Sequence, residues 1–230
     1  MERLMVFVRR DARRSREIFL AGWTEMVSQW LAAAPVPGLN RAIINCASAS
    51  AMTGWPDDYD AVMEFWFNET NDAATMLNRW SGAANRRALA DWIEWDASPA
   101  WVGEVKPKLD LPGAHVKLLV AGYLADGWSE AAAQQYWSDV HPVVAQGQAI
   151  FWSLLRRYVQ IHGHPIKGVA SYMPMAADIG AASFEDLDRA FSHEQYLTVI
   201  RDDEARFAKP QDMLAMASDR EIILHIGGRG

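Results

Sequence analysis

The sequence has a single cysteine, Cys46, and no histidine before residue 115. One cysteine cannot form an internal disulfide, so we expect a reducing, cytoplasmic environment. Because no histidine lies in the same half, we expect Cys46 to be a small buried strand residue rather than a nucleophile. All six histidines are in the second half, so chemistry that needs an imidazole must come from there.

Long hydrophobic runs and excess positive charge are also missing. No segment approaches membrane-spanning length, and the first apolar run is too short for a signal peptide. The formal net charge of −7 argues against a nucleic-acid surface or a basic membrane patch. No glycine-rich phosphate loop, serine-nucleophile elbow or zinc-protease helix is present. We therefore expect neither nucleic-acid nor membrane partners.

What is present is an order of elements that occurs twice. The patterns predict strands at 3–9, 38–47, 61–67 and 101–109, with helices at 15–34 and 70–96. The same β-α-β-β-α-β order follows, with strands at 117–123, 153–162, 167–173 and 220–226 and helices at 129–148 and 183–207. A shift of 114 residues aligns Arg3 with Lys117 and Trp23 with Trp137 without a gap, and a shift of 112 aligns Asp91 with Asp203. The repeat indicates a duplication.

We predict an α+β protein made of two tandem ferredoxin-like units, residues 1–110 and 115–230. A four-stranded sheet with both helices on one face leaves its other face uncovered. We therefore expect the two sheets to meet in an intramolecular, pseudo-dimeric α+β barrel. The sequence leaves open whether the chain is a monomer or a homodimer.

The strongest chemical signal is in the helix predicted at 129–148. Trp137 and His141 are four residues apart and so lie one turn apart on its apolar face, and Pro142 predicts a kink or restart there. A partly buried imidazole can exchange a proton near neutral pH. The alternative is a core histidine bonded to a backbone carbonyl or to Asp139. The aligned residue of the first half is Val27, which favours a functional role for the imidazole.

Tyr158, Gln160 and His162 alternate along one predicted strand, so their side chains share a face. Such a row could orient a substrate carbonyl or phenol and stabilise an enolate oxygen. The alternatives are a solvated sheet face or a row of hydrogen bonds between sheets. His162 and His164 also raise the question of a metal site, but Gly163-His164-Pro165 is more typical of a turn, and we predict no metal.

Glu64 lies in an otherwise apolar strand, where an unpaired carboxylate would be costly. We expect Arg41 or Arg157 as its partner. Most tryptophans are expected to lie in the core. Their number also indicates an aromatic-walled cavity for a flat apolar ligand. The tryptophans concerned are at positions 23, 30, 66, 92, 95 and 137.

Taken together, these pieces resemble the EthD family of the dimeric α+β-barrel superfamily. The pieces are Tyr136-Trp137 with His141, the run Arg157–His162, and the run Asp203–Phe207. The first half has counterparts over nearly its whole length: Phe19 with Trp23, the run Tyr59–Phe67, and Asp91 with Trp95. The first half departs from the pattern because Val27 stands at the position of the histidine. The second half departs from it because Ser171 stands at the position of the strand glutamate, Glu64.

The resemblance implies a pocket between sheet and helices. Related families use it for cofactor-free cyclisation, dehydration, decarboxylation or oxygenation of aromatic and polyketide-like compounds, while other branches bind haem.

We therefore predict a cofactor-independent enzyme of lyase or cyclase type that acts on a small aromatic, phenolic or polyketide-like carbonyl compound. His141 would move the proton, and Tyr158 and His162 would hold the oxygen that gains charge. The predicted substrate-binding residues are Trp137, Tyr136, Gln160, Tyr172 and Tyr123. A haem protein and a non-catalytic carrier of an apolar aromatic ligand are the alternatives, and the equivalent site in the first half should be chemically silent.

Overall fold

The computed structural model describes residues 1–33, 36–48, 55, 58–169 and 172–226. The strands in these ranges are β1 (Glu2–Val8), β2 (Leu39–Ala47), β3 (Ala61–Phe67), β4 (Ala100–Asp110), β5 (Val116–Gly122), β6 (Leu155–Gly163), β7 (Met175–Ala181) and β8 (Leu214–Ile226). The helices are α1 (Arg16–Ala33), α2 (Thr70–Ser81), α3 (Ala83–Leu89), α4 (Glu130–Asp139), α5 (His141–Gln146), α6 (Ala149–Leu154), α7 (Phe184–Ser192) and α8 (Arg201–Phe207), with a π-helical turn at Tyr196–Ile200.

The strands form one closed antiparallel barrel in the order β1-β3-β2-β8-β5-β7-β6-β4. Each half supplies four neighbouring strands, in the orders β4-β1-β3-β2 and β8-β5-β7-β6. The halves are joined by backbone pairing of β2 with β8 and of β4 with β6. Closure therefore pairs the edge strands that each sheet alone would leave open. The predicted mixed α+β barrel within one chain is confirmed.

Strand spacing agrees with the 114-residue shift, because β1 and β3 map onto β5 and β7 from first to last residue. One predicted strand was wrong: the third strand of the second half lies at Met175–Ala181, not at 167–173. It was missed because its alanines and glycine have low β propensity. Ser171 lies outside the described residues, and the strand position equivalent to Glu64 is Asp178.

The helix predicted at 129–148 is divided by Val140 into α4 and α5. Ser129 caps α4, its hydroxyl accepting a hydrogen bond from the Ala132 backbone amide. Pro142 falls in the first turn of α5, where a missing backbone N–H leaves no helical bond unmade. The predicted restart at Pro142 is thus confirmed, and it places His141 at the first position of a new helix. No helix among the described residues is both long and apolar enough to span a membrane.

The interior of the barrel holds a cluster of buried charges. Arg3 Nη1 lies 3.1 Å from Glu64 Oε2 and 3.2 Å from Asp178 Oδ2. Arg157 Nε lies 2.9 Å from the same Asp178 oxygen, and Lys117 Nζ lies 3.8 Å from Glu64 Oε1. The cluster therefore ties residues of both halves together across the barrel.

The predicted kind of partner for Glu64, an arginine, is confirmed, but the two arginines named as examples were wrong. Its ionic partners are Arg3 and Lys117, and the side-chain amide of Asn45 donates to Glu64 Oε1 at 2.7 Å. Arg41 instead contacts Glu221 at 3.9 Å. The sequence could not decide this because Arg3 is far from Glu64 along the chain and reaches it only through the pairing of β1 with β3.

Between sheet and helices, the first half is filled with aromatic rings. Trp23 packs on Phe19 with ring centroids 5.2 Å apart and meets Trp80 edge-on at 6.2 Å. Val27 is buried in the same cluster, and Cys46 is a buried strand residue as predicted. The tryptophans at positions 23, 30, 80 and 95 thus form a packed core rather than the walls of a cavity.

Candidate active site

The corresponding layer of the second half contains a cavity. It lies between β5, β6, β7 and the helices above them, and about 70 Å³ of it is open to the centre of a water-sized sphere. Its sheet side carries small residues: Gly122 and Ala177 stand where the first half has Val8 and Met63 under the 114-residue shift. These small side chains leave space in the second half that larger side chains fill in the first.

The walls are mostly apolar, and aromatic rings form part of them. They include Trp137, Phe151, Phe191 and Phe207. Of the tryptophans predicted to surround a ligand, only Trp137 lines this cavity. The ionisable residues among the described lining are His141, Tyr158 and Glu204. A flat apolar ligand with a few polar atoms is the kind of molecule that such a cavity accepts.

His141 is buried and bonded to a carboxylate. Its Nδ1 lies 2.8 Å from Asp203 Oδ2. A carboxylate can only accept, so Nδ1 carries the hydrogen, and in the neutral form of the ring Nε2 is then the acceptor. Within the described residues Nε2 has no hydrogen-bond partner, which leaves it available to the cavity. The predicted alternative partner was wrong, because Asp139 is exposed.

Asp203 is held ionised by its partners. Its Oδ1 accepts a hydrogen bond from the Tyr136 hydroxyl at 2.5 Å. Burial alone would raise the pKa of the Asp203 carboxyl, but the hydrogen bonds from His141 and Tyr136 outweigh burial and hold that pKa below its ordinary value. Tyr136, predicted to bind substrate, therefore lies behind the His141–Asp203 pair and is not part of the cavity lining.

The hydroxyl oxygen of Tyr158 accepts two hydrogen bonds, from Trp137 Nε1 and from Gln160 Nε2, each at 3.0 Å. With both bonds accepted, the remaining function of the hydroxyl is to donate its own hydrogen. Burial raises the pKa of Tyr158 well above its ordinary value, so the group is a neutral donor. The ring centroids of Tyr158 and His141 are 6.3 Å apart, so the donor and the acceptor serve one cavity.

Gln160 and His162 stand behind this pair. Gln160 Nε2 also donates to the Trp137 carbonyl at 2.7 Å, and Gln160 Oε1 lies 3.2 Å from His162 Nε2. The His162 ring stacks on Trp137, with centroids 5.0 Å apart. Burial, followed by the charges of Lys106 and Lys108, lowers the pKa of His162 to about 4.

The three residues of the row do share a face, but only Tyr158 reaches the cavity lining. His162 is a neutral ring that stacks on Trp137, and it lies outside the cavity lining. His164 Nε2 lies 2.9 Å from Glu2 Oε2 instead, so His162 and His164 do not converge on one point. Among the described residues there is no group of three side chains suited to hold a metal.

Tyr123 and Tyr172 lie at a separate surface cleft with Glu130. Tyr123 is 45% exposed. The Tyr172 hydroxyl donates to a Glu130 carboxylate oxygen, and burial together with that carboxylate raises the pKa of Tyr172 to about 12. The sequence patterns placed Tyr172 in a strand, whereas it lies before β7, so the structure does not bring either tyrosine to the cavity.

Glu204 was missed by the sequence reasoning as a site residue. It follows Asp203 on α8 and lines the cavity, and the Tyr196 hydroxyl donates to its Oε2 at 3.1 Å. Burial raises the pKa of Glu204 above its ordinary value. One signal was present: the 112-residue shift aligns Glu204 with Trp92, an apolar residue.

Comparison with protein families gives a match in the same part of the chain. Residues 125–211 match the EthD domain. The matched range runs from just before α4 to just after α8, so it contains His141, Tyr158, Asp203 and Glu204. The match covers less than half of the chain, and it lies in the half that has the cavity. A search of curated protein sequences finds no match.

Solved structures similar to this chain share its fold at low sequence identity. An anthrone oxidase-like protein is 10% identical, with a TM-score of 0.58, over 97% of this chain and 92% of its own. A protein described as a monooxygenase from Fusobacterium nucleatum is 6% identical, with a TM-score of 0.54, over 100% and 94%. A mutant chlorite dismutase from Candidatus Nitrospira defluvii is 9% identical, with a TM-score of 0.51, over 94% and 90%. These likenesses establish the α+β-barrel fold.

Proposed function

We propose that this protein is a cofactor-independent acid/base enzyme, of lyase or cyclase type, acting on a small aromatic, phenolic or polyketide-like carbonyl compound. One observation carries the proposal. The His141–Asp203 pair presents a nitrogen to a mostly apolar cavity that is lined in part by aromatic rings and also contains the Tyr158 hydroxyl. The match to the EthD domain and the likeness to proteins named as oxidase-like or monooxygenase support an enzyme.

The chain's own residues supply each part of a proton abstraction. His141 Nε2 takes a proton from the carbon beside the substrate carbonyl, while Asp203 stabilises the imidazolium that forms. The Tyr158 hydroxyl donates to the carbonyl oxygen as it becomes an enolate oxygen. Phe151, Phe191 and Phe207 pack against the ring of the substrate and exclude water. The enolate is then ready to attack a second carbonyl or to expel a leaving group.

The test is deuterium exchange into 1-tetralone, an aromatic ketone with exchangeable hydrogens beside its carbonyl. We expect the purified protein to exchange these hydrogens in D₂O faster than buffer does, followed by NMR. A carrier would bind the ketone, as seen by tryptophan fluorescence, without exchange. Binding with exchange at the buffer rate would therefore refute the enzymatic proposal in favour of the carrier.

Tyr158→Phe is expected to reduce the exchange rate about 10²–10³-fold, because it removes the donor to the developing enolate oxygen. The control is Tyr123→Phe, which removes a hydroxyl at the separate surface cleft and should leave exchange unchanged. Equal effects of the two substitutions, or parental exchange in a folded Tyr158→Phe protein, would remove Tyr158 from the mechanism.

A haem protein is the second candidate, since a histidine whose Nδ1 donates to a carboxylate is also a suitable axial ligand. The cavity fits haem poorly, because no Lys or Arg is among the described lining residues to pair with the propionates. A stoichiometric Soret complex with added haemin, lost in His141→Ala, would reverse this preference.

We also propose that the two halves are tandem copies of one unit, of which residues 1–110 are structural. Two observations support this proposal. The spacing between β1 and β3 along the chain equals that between β5 and β7, and the strands of the two halves follow matching orders in the barrel. In the first copy Val27 replaces His141, and aromatic rings fill the space that the second copy leaves open.

A further inference from the structure

Glu204 is an ionisable group inside the cavity that proton abstraction by His141 does not use. It lies on α8 among side chains from several elements. The titratable groups that face it are Tyr196 from the π-helical turn, His141 from α5, Tyr158 from β6, and Arg201 and Asp203 from its own helical segment. Only one of its two carboxyl oxygens is bonded to a residue in the described part of the chain, the bond being that from the Tyr196 hydroxyl.

The surroundings of Glu204 disfavour a charged carboxylate. Its cavity neighbours include Phe191, Phe207 and Ile200. Among the described residues no cation forms an ion pair with it within 4.0 Å, and Arg201 is exposed. On its other side Glu204 is partly open to a surface cleft that Arg201 also lines, so it is the apolar cavity side that opposes an unpaired negative charge. The raised pKa of Glu204, caused first by burial, agrees with a carboxylic acid that keeps its proton to higher pH.

We propose that Glu204 is a catalytic acid that protonates a leaving hydroxyl group, which makes the protein a dehydratase for aromatic β-hydroxyketones. This inference rests on the proposed function, because His141 must first remove the proton beside the carbonyl. A base and an acid in one apolar cavity are the two groups that loss of water requires. Glu204 is therefore assigned a role distinct from that of Asp203, which is held ionised behind His141.

The step balances without a cofactor. His141 Nε2 takes the proton from the carbon beside the carbonyl, and the electron pair of that C–H bond moves to the carbonyl oxygen held by Tyr158. When the carbonyl re-forms, a carbon–carbon double bond forms and the neighbouring C–O bond breaks. Glu204 gives its proton to the departing oxygen, which leaves as water. The proton on His141 then returns to Glu204 through solvent, so the net change is one β-hydroxyketone to one unsaturated ketone and water.

Two probes separate this acid step from the base step. 3-Hydroxy-1-tetralone loses water to give 1-naphthol, which fluoresces, whereas 1-tetralone has no leaving group and reports only exchange. In Glu204→Gln we expect loss of water to slow about 10²–10⁴-fold more than exchange into 1-tetralone does. The thermal midpoint of the variant is measured alongside, and Tyr196→Phe, which keeps the carboxyl, should retain most of the elimination.

The pH dependence gives a second readout that a structural role would not change. The acid form of Glu204 is required, so elimination by the parent protein should fall as pH rises through its raised pKa, and exchange should lack that fall. In Glu204→Gln the remaining elimination activity should likewise show no fall as pH rises through this range.

Each other outcome is informative. Parental elimination in Glu204→Gln, or equal loss of exchange and elimination, overturns the assignment of Glu204. Exchange without elimination by the parent protein overturns it as well, while the proposed function stands. If the parent protein catalyses neither reaction, the proposed function itself fails and this inference falls with it.

Discussion

His141→Gln is expected to lower the rate of exchange into 1-tetralone about 10²–10⁴-fold, the usual contribution of a positioned general base. The glutamine side chain keeps much of the ring's volume and can still bond to Asp203, so the protein should fold. It has no nitrogen that can take a proton at neutral pH. The measurement is the NMR exchange rate together with the melting temperature. His141→Ala should lose the same activity and, because it leaves Asp203 without its partner, more stability.

The matched control is Val27→Ala in the first half. Val27 occupies the position that corresponds to His141 and is buried in the aromatic core, so truncation should reduce stability and leave the exchange rate of the folded protein intact. A folded His141→Gln protein with near-parental exchange would eliminate the catalytic role. Loss of exchange in Val27→Ala with retention in His141→Ala would show that the active half has been wrongly assigned.

Asp178→Ala is expected to reduce the free energy of unfolding by about 3–5 kcal/mol, the range found when one partner of a buried ion pair is removed. Asp178 is completely buried and bonds to Arg3 of β1 and Arg157 of β6. Without it, both guanidinium groups remain inside the barrel with less compensating charge. Chemical denaturation monitored by tryptophan fluorescence measures the change.

Asp110→Ala is the control, because Asp110 contacts the same Arg157 through an exposed side chain, at 2.7 Å. An exposed ion pair contributes about 0–1 kcal/mol, so this variant should be nearly as stable as the parent. Similar losses in the two variants would show that burial does not determine the effect.

The contribution of Asp178 should also depend on pH. Burial opposes ionisation, but Lys117, Arg3 and Arg157 outweigh it and lower the pKa of Asp178 from 3.8 to about 2. A carboxyl whose pKa is depressed on folding stabilises the protein above its unfolded pKa and loses that contribution as pH falls through the folded one. The stability difference between parent and Asp178→Ala should therefore be complete at neutral pH and shrink between about pH 4 and pH 2. A difference that stayed constant over this range would contradict the assigned charge state.

Local patterns were sufficient for much of the fold. The apolar periods predicted six of the eight strands close to their observed positions, the second half of β8 and the restart of the helix at Pro142, because these features depend on residues that are neighbours in sequence. The exception, β7, is rich in Ala and Gly, so its residues carry little strand signal of their own. It becomes a strand through pairing with β5 and β6 on both sides.

The composition of the candidate site could be predicted only in part. Trp137, His141 and Tyr158 were identified because each stands out in its own helix or strand. The apolar pattern around His141 could not reveal its carboxylate partner, since Asp203 is 62 residues further along the chain. The same patterns could not separate Tyr158, which reaches the cavity, from His162, which lies behind Trp137.

The sequence by itself determined the order of elements, the half that contains every imidazole and the position of His141 on its helix. The tertiary structure alone decided that Asp203 fixes the tautomer of His141, that Glu204 enters the same cavity, and that Arg3 rather than Arg41 or Arg157 pairs with Glu64. The physical reason is the range of the interactions. Secondary structure follows from contacts within a few residues, whereas closing the barrel and packing α8 against α5 bring together charges that are distant in the chain, and burial then sets their protonation.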